Sequence, residues 1–230
     1  MNLSLIKYND MQKAAFFDID KTLYSGTLAE EFAKQLKLNP TVPGILKEEE
    51  LTLDIGTVEL LVALRDSGKM PYRAYLEAVE KTFALVEGVF NTWTLSLFKE
   101  LRRKGYCMVA LSQAPFSLLK KYSEHIDGDS FDVVVSPMPV IENNKEMAIL
   151  GDRSLISTKE RDKGQWVEKL AECYGFDLSL SMAIGDSVND APMISKVGGR
   201  KIAFSPDNEL RSIAESKGWE IIEKSTKFKK

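Results

Sequence analysis

Short apolar runs alternate with amphipathic segments along most of this chain, and the alternation limits the folds that it can adopt. The runs of strand length span residues 14–17, 106–111, 131–135, 180–184 and 201–204. Segments with helical periodicity lie between most of them, at residues 92–103, 116–126, 165–174 and 191–197. Strands that alternate with helices of this length are typical of a parallel sheet with helices on both faces. We therefore predict an α/β fold.

The interval from about Ser25 to Glu87 is the exception, because it contains helical patterns and no convincing strand. Asn39-Pro40 and Pro43-Gly44 break the chain between a helical segment at 28–38 and a second apolar segment at 51–64. One helical stripe, typical of a packed core, is formed by Tyr72, Tyr75, Leu76, Val79, Phe83 and Val86. We interpret the interval as a small helical bundle. This interpretation predicts a core domain of residues 1–25 and 88–230 and a helical cap of residues 26–87.

A second, smaller insertion follows the third predicted strand. Residues 140–147 are typical of a β-hairpin around Asn143-Asn144. We find no internal repeat and no segment of low complexity.

The composition is that of an ordinary globular protein, and it argues against several functions. The 230 residues carry a net charge of only -3, which does not favour a dedicated nucleic-acid surface. No apolar run approaches the roughly 18 to 20 residues that span a bilayer, and Met1 to Asp10 lacks the apolar centre of a secretory signal. We expect a cytoplasmic protein with no nucleic-acid or membrane partner, and the oligomeric state stays open.

Most common nucleophiles are poorly supported by this sequence. His125 is the single histidine, so no mechanism can use two. There is no Gly-x-Ser-x-Gly motif, and neither Cys107 nor Cys173 has an arginine six residues later. We interpret both cysteines as reduced, packed thiols. An aspartate remains as the candidate nucleophile.

Polar clusters follow three of the predicted strands, at residues 18–22, 112–113 and 185–186. Ligands of parallel sheets bind at the carboxyl ends of the strands. Asp18 and Asp20 follow the first strand two residues apart, and like charges this close are costly without a cation or a shared proton. Taken alone, the pair is equally compatible with a polar turn at the end of a strand. The other two clusters favour an active site.

Four signals occur in a fixed order: Asp18-Ile19-Asp20-Lys21-Thr22, then Ser112 after an apolar strand, then Lys163, then the segment from Gly185 to Asp190. This set resembles the haloacid dehalogenase-like superfamily of phosphohydrolases, and in particular its phosphoserine-phosphatase-like branch with a helical cap. The resemblance implies a Rossmann-like three-layer sandwich with the cap inserted after the first strand. It also implies a magnesium-dependent phosphatase that acts on a small phosphorylated metabolite.

The chemistry of phosphate esters explains the central residues. A carboxylate nucleophile is repelled by a phosphate dianion, and a Mg²⁺ ion held by the carboxylates of Asp18 and Asp186 cancels that repulsion. The resemblance implies that Asp18 attacks phosphorus to form an aspartyl-phosphate, that the Asp20 carbonyl completes the metal ligands, and that the Asp20 carboxyl serves as acid and base. Lys163 would pair with Asp18 and the phosphate; without the other motifs it is an ordinary surface lysine.

The same resemblance implies supporting roles for several other residues. Ser112 offers a hydroxyl and an amide to phosphate near a helix start, although it is equally explained as a helix cap. Thr22 is expected to fix the turn and to bind phosphate, and Asn189 to contact phosphate or water. Asp190 is expected to lie outside the metal ligands and to orient metal-bound water or Lys163.

The substrate is less well determined than the chemistry. Thr27 stands where phosphoserine phosphatases typically place a glutamate, Gln113-Ala114 replaces their Gly-Gly pair, and Arg65 and Arg73 only flank the expected position of a cap arginine. These departures favour a small phosphomonoester other than phosphoserine. Two alternatives stay open: a phosphotransferase or mutase on the same fold, and a non-catalytic ligand-binding module.

Overall fold

A central sheet of six parallel strands organises the protein. The computed structural model describes residues 12–38, 72–136, 138–142, 146–150 and 163–224. The sheet strands are β1 (Ala14–Phe17), β2 (Cys107–Leu111), β3 (Val133–Val135), β6 (Met182–Gly185), β7 (Lys201–Phe204) and β8 (Glu220–Ile222). Their spatial order is β3-β2-β1-β6-β7-β8. All neighbouring pairs are parallel, which confirms the predicted α/β fold.

Strand β1 lies near the middle of the sheet and is buried on both faces. None of its four residues is exposed to solvent, as expected for a continuous apolar strand in a parallel sheet. Phe17 at its end is in register with Ala110 of β2 on one side and with Ile184 of β6 on the other. The residues that follow β1, β2 and β6 therefore emerge side by side at one edge of the sheet.

Helices cover both faces of the sheet, and the alternation of side chains along β1 separates the two cores. Ala15 and Phe17 belong to one apolar cluster, and Ala14 and Phe16 to the other. The first cluster includes residues of α1 (Leu28–Lys37), α2 (Tyr72–Val86), α3 (Thr92–Arg103) and α4 (Phe116–Ser123). The second includes residues of α5 (Lys163–Tyr174), α6 (Ala191–Lys196) and α7 (Asn208–Lys217). The predicted three-layer sandwich is confirmed.

Several element boundaries differ from the sequence-based prediction. Strand β6 begins at Met182, and Leu180 lies before it with 55% of its surface exposed. Helix α4 ends at Ser123, and the chain then forms a turn in which Ile126 pairs with Asp129 and both Asp127 and Gly128 have positive φ. Helix α7 and strand β8 were not predicted, since only Leu210 and Ala214 of α7 are buried and the apolar pattern is weak.

Two helices, α1 and α2, are described within the interval predicted as the cap. They pack together, and the rings of Phe32 and Tyr75 meet edge to face at 5.3 Å. Most of the predicted apolar stripe of α2 is buried, but Leu76 is 39% exposed because it lies one position beside the stripe that contains Tyr75 and Val79. The breaks at residues 39–44 and the apolar segment at 51–64 lie outside the described residues. The division into core and cap stays a prediction.

The predicted hairpin is present as β4 (Met138–Glu142) and β5 (Glu146–Leu150), which pair antiparallel, while Asn143-Asn144 lies outside the described residues.

His125 is exposed after α4, as expected for a surface residue. Cys107 and Cys173 are both free thiols, but Cys173 is exposed and not packed as predicted. Among the parts of the chain that the structure describes, no helix is long and apolar enough to cross a membrane.

Candidate active site

A cavity of about 370 Å³ lies at the carboxyl ends of β1, β2 and β6. Eight of the residues predicted for the site line it: Asp18, Asp20, Thr27, Ser112, Gln113, Lys163, Asp186 and Asn189. Three further residues complete the lining: Lys21, Glu30 and Ser187. The polar clusters that follow separate strands in the sequence thus share one cavity, as the sheet topology predicts.

A tight turn follows Asp18 and shapes the entrance to α1. The Asp18 amide still donates to the carbonyl of Ile184 in β6, at 3.0 Å, so the nucleophile candidate is held by the sheet. The Ile19 carbonyl then accepts bonds from the amides of Thr22, Leu23 and Tyr24. Lys21 has a φ of 57°, a left-handed conformation that is uncommon for a residue with a side chain. The chain therefore reverses direction within a few residues of the paired carboxylates.

Asp20 is held by the start of the helix that follows this turn. Its Oδ1 accepts a bond from the amide of Leu28, the first residue of α1, at 2.7 Å. Burial, and then the charge of Asp18, raise the Asp20 pKa to about 7. A carboxyl group with a pKa near neutrality can both donate and accept a proton under ordinary conditions. Asp20 thus has the protonation behaviour of an acid and base.

Lys163 is the cation of the site. It is the first residue of α5 and only 4% exposed, so the alternative of a surface lysine is wrong. Its Nζ donates to Oδ1 of Asp18 and to Oδ1 of Asp190, both at 2.6 Å. Burial by itself disfavours the ammonium form, but the two carboxylates outweigh it and raise the Lys163 pKa. The ammonium is therefore the stable form, and it links the end of β1 to the segment after β6.

Asp190 is saturated with hydrogen bonds inside the protein. Besides the bond from Lys163 to Oδ1, its Oδ2 accepts from the Asp186 amide at 3.0 Å and from the amide and hydroxyl of Ser187 at 3.1 and 3.2 Å. Gly185 is required beside it, because a Cβ atom there would lie 2.4 Å from the Asp190 side chain. Asp190 therefore shapes the loop that carries Asp186 and orients Lys163.

The acidic groups of the site can hold a divalent cation. One carboxylate oxygen from each of Asp18, Asp186 and Asp190 lies within 4.8 Å of the other two. Burial and then the charge of Asp190 raise the Asp18 pKa to about 6, and burial and then the charge of Asp18 raise the Asp186 pKa to about 8. Oxygen ligands and crowded negative charge are what Mg²⁺ prefers. The donor set therefore fits that ion.

Ser112 lies at the end of β2 and is 1% exposed. Its amide donates to the carbonyl of Val135, at 3.1 Å, and its hydroxyl oxygen accepts from the amide of Ala114, also at 3.1 Å. The hydroxyl hydrogen can thus still be donated into the cavity. Gln113 and Asn189 lie on the cavity wall, and Asn189 is exposed.

Thr22 does not line the cavity, and neither does Asp190, which was predicted to lie outside the metal ligands. The Thr22 side chain is fully buried, and its hydroxyl has no hydrogen-bond partner among the residues that the structure describes. The expectation that this side chain contacts phosphate and fixes the turn is therefore corrected. The turn is held by Asn91 instead, whose Nδ2 donates to the carbonyls of Lys21 and Thr22 at 3.0 and 2.8 Å.

Sequence reasoning missed Lys21, Glu30 and Ser187 on the cavity wall and Asn91 behind it. The first three lie within or close to the recognised motifs, so their proximity in the chain could have identified them. Asn91 is 69 residues from Thr22 in the sequence, and no local pattern marks it.

Comparison with known proteins agrees with this geometry. The haloacid dehalogenase-like hydrolase family matches residues 15–195. The phosphoserine phosphatase of Methanocaldococcus jannaschii is 28% identical over 207 residues, which cover 89% of this chain and 90% of that protein. The chain therefore belongs to the haloacid dehalogenase-like hydrolase family. The match also confirms the predicted phosphoserine-phosphatase-like branch and the predicted enzyme class, a phosphoric monoester hydrolase.

Solved structures share the fold at low sequence identity. A protein of unknown function from Bordetella pertussis Tohama I superposes with a TM-score of 0.68 at 18% identity, covering 93% of this chain and 99% of that one. A phosphoserine phosphatase in its apo form superposes with a TM-score of 0.62 at 22% identity, covering 92% and 93%. These similarities concern the fold alone.

Proposed function

We propose that this protein is a magnesium-dependent phosphatase that hydrolyses a small phosphomonoester through an aspartyl-phosphate on Asp18. The observation that carries the proposal is the position of Asp18 on the cavity wall. Its carboxylate is bonded to the Lys163 ammonium at 2.6 Å and shares the cavity with the Asp20 carboxyl. A nucleophile, a cation and a proton donor therefore face the same space, as displacement at phosphorus requires.

In the first step, an oxygen of Asp18 forms a bond to phosphorus while the bond from phosphorus to the ester oxygen breaks. The leaving alkoxide takes a proton from the Asp20 carboxyl group. Asp20 suits this role because its pKa, raised to about 7, keeps a substantial fraction protonated near neutral pH. Lys163 holds the Asp18 carboxylate in place and balances negative charge on the phosphoryl group.

In the second step, Asp20, now a carboxylate, accepts a proton from water as the water oxygen attacks the phosphorus of the aspartyl-phosphate. The bond between phosphorus and Asp18 breaks, inorganic phosphate is released, and both side chains return to their starting forms. One group thus acts first as an acid and then as a base. The single histidine is not needed.

Asp18 and Asp186 would hold Mg²⁺ through their carboxylates, together with the carbonyl of Asp20. When bound, the ion lowers the repulsion between the Asp18 carboxylate and the phosphate dianion. Asp190 is less suited to be a direct ligand, since both its oxygens already accept bonds from Lys163, Asp186 and Ser187. In this proposal it orients Lys163 and the loop that carries Asp186.

The phosphate would be bound by the Ser112 hydroxyl and by Asn189, with Gln113 and Thr27 nearer the rest of the substrate. Thr27 precedes α1 in the predicted cap, so the identity of the ester depends on both domains. The relative from Methanocaldococcus jannaschii is named a phosphoserine phosphatase. Because Thr27 and Gln113 depart from the pattern of those enzymes, we favour another small phosphorylated metabolite. We also propose that the protein acts in the cytoplasm.

The test is release of inorganic phosphate from a panel of phosphomonoester metabolites, with and without Mg²⁺ and with no added acceptor. We expect phosphate release that requires the ion and is lost in Asp18→Asn. If an added alcohol becomes phosphorylated and no inorganic phosphate is released, the protein is a phosphotransferase instead. No release from any member of the panel would overturn the proposal.

A further inference from the structure

The side chain of Asn91 donates hydrogen bonds to the turn that follows Asp18 and Asp20. It is 4% exposed, and its Nδ2 lies 3.0 Å from the carbonyl oxygen of Lys21, 2.8 Å from that of Thr22 and 3.4 Å from that of Tyr24. Its backbone amide also donates to the carbonyl of Leu23, at 2.8 Å. One residue thus serves the carbonyls of four consecutive positions, Lys21 to Tyr24.

These bonds are not a by-product of helix capping. Asn91 occupies the position before α3, where an asparagine oxygen usually accepts a bond from an amide of the first helical turn. Here the side chain makes no such bond to its own helix. The Nδ2 atom of the side chain donates to the turn, so this group stabilises the turn and not α3.

The turn needs an external donor of this kind. The amides of Thr22, Leu23 and Tyr24 all donate to the Ile19 carbonyl. The carbonyls of residues 21–24 therefore receive no hydrogen bond from within the turn. Buried carbonyls without a donor are costly. Lys21 adds backbone strain through its positive φ. The Thr22 hydroxyl makes no hydrogen bond within the described residues, so it does not stabilise the turn.

The geometry of the turn also sets the position of Asp20. Lys21 donates from its amide to the carbonyl of Gly26, at 2.7 Å, which closes the loop and brings the start of α1 back towards Asp20. The Asp20 carboxylate then accepts from the Leu28 amide at 2.7 Å. A shift of the residues after Asp20 would therefore move both its side chain and the amide that holds it.

We propose that Asn91 is a positioning residue for Asp20: it holds the turn from the segment that returns to β2, and so aims the proton donor at the leaving group. The inference rests on the proposed phosphatase function. Asn91 itself is not on the wall of the cavity that contains Asp18 and Asp20, so its effect must pass through the turn.

The decisive variant is Asn91→Ser. Serine is an equally good residue before a helix, so α3 is preserved, but its side chain is too short to reach the carbonyls of the turn. With an alkyl phosphate, whose leaving group needs a proton, we expect kcat/KM, which reports the steps up to release of the leaving group, to fall by on the order of 10²-fold, as a small misplacement of a catalytic group can cause. With p-nitrophenyl phosphate, whose leaving group needs little assistance, kcat/KM should fall several times less. Because Asp20 also activates water in the second step, kcat should fall for both substrates.

Ser181→Ala is the matched control for general destabilisation. Ser181 is fully buried, and its hydroxyl accepts from the amide of Ala14 at 2.9 Å and donates to the carbonyl of Asp177 at 2.6 Å. It thus anchors the other end of β1, away from the cavity. We expect this variant to lose stability while the ratio of the two kcat/KM values stays that of the wild type.

Hydrogen exchange supplies a readout that does not depend on activity. In Asn91→Ser the amides of Leu23 and Tyr24 should exchange faster than in the wild type, while the amides of α3 keep their protection. If the wild type is active, the inference is wrong when Asn91→Ser retains either the wild-type ratio of kcat/KM values or the protected turn. If the wild type releases no phosphate from any ester, the proposed function fails first, and unchanged exchange in the turn would by itself still overturn the role of Asn91.

Discussion

The Nζ atom of Lys163 lies 2.6 Å from Oδ1 of Asp18, although 145 positions separate the two residues in the chain. The pair is almost completely buried, with 5% and 9% of the two side chains exposed. A second carboxylate, that of Asp190, binds the same ammonium group. The candidate nucleophile is therefore held in one orientation by a fixed positive charge before any substrate arrives.

Asp18→Asn should abolish turnover while the fold survives. The substitution removes the charge and the nucleophilic oxygen with little change in volume, so we expect kcat to fall by on the order of 10⁵-fold. Phosphate release and the circular dichroism spectrum together check both halves of this expectation. Asp177→Asn, at an exposed carboxylate outside the cavity lining, is the control and should keep full activity. Retained turnover in Asp18→Asn would remove Asp18 from its proposed role.

Asp20→Asn should slow hydrolysis most for substrates whose leaving group must be protonated. Without the acid, kcat for alkyl phosphates should fall by about 10²- to 10⁴-fold. For aryl phosphates with good leaving groups, formation of the aspartyl-phosphate should be much less affected, which a burst of released phenol would show. Equal losses in that first step for both classes of substrate would count against the acid role.

Lys163→Met should destabilise the protein as well as inactivate it. The substitution leaves the carboxylates of Asp18 and Asp190 buried together without their cation, and breaking a buried pair in this way costs about 3–5 kcal/mol. Urea unfolding without Mg²⁺ measures the loss. Lys196→Met removes an exposed pair with Glu168 and should cost at most about 1 kcal/mol. Similar losses in the two variants would contradict the buried role of Lys163.

The stabilising effect of Mg²⁺ should grow as the pH rises from 5 to 8. The pKa values of Asp18, Asp20 and Asp186 are raised in the folded protein, to about 6, 7 and 8. A raised pKa means that the folded state binds more protons than the unfolded state, so the metal-free protein loses stability as the pH rises through these values. Mg²⁺ requires the deprotonated carboxylates of Asp18 and Asp186 and offsets their part of this loss.

Thermal unfolding at several pH values, with and without Mg²⁺ at constant ionic strength, measures this effect. The increase in Tm should be small at pH 5 and largest near pH 8. Asp186→Asn should remove most of the increase, because it deletes one of the proposed ligands. An increase that is the same at every pH would show that the carboxylates of Asp18 and Asp186 do not bind the ion.

Gly185→Ala should displace Asp190. The new methyl group would lie about 2.4 Å from the Asp190 side chain, far closer than atoms in contact. We expect a loss of stability of about 1–3 kcal/mol from overpacking and a fall in kcat on the order of 10²-fold from the movement of Lys163.

Gly218→Ala serves as the control for the substitution at Gly185. Gly218 ends α7 at a φ of 64°, and a Cβ there would meet no other atom within 4 Å. This variant should lose a comparable amount of stability through backbone strain and keep its kcat. Full activity in Gly185→Ala would mean that Asp190 can move without disturbing the site.

Much of the fold was accessible from the sequence because its signals are local. The apolar run at Ala14–Phe17 is buried on both faces, so its composition alone marks a central strand. Helix α3 was predicted with its observed bounds, Thr92–Arg103, because its apolar residues recur at helical spacing. Helix α7 and strand β8 escaped prediction because only part of each faces the core, which leaves a weak pattern.

The sequence by itself determined the kind of chemistry, since the carboxylates of Asp18 and Asp20 must follow one strand and Asp186 another. Only the tertiary structure decided which side chains fix the positions of these carboxylates by hydrogen bonds. Lys163 occurs in a charged segment that resembles a protein surface, and burial at the start of α5 follows from packing between distant elements. Asn91 likewise reaches the turn only because the chain returns beside it after residues 26–87. Hydrogen bonds between residues far apart in sequence depend on the packed backbone, and no local pattern encodes them.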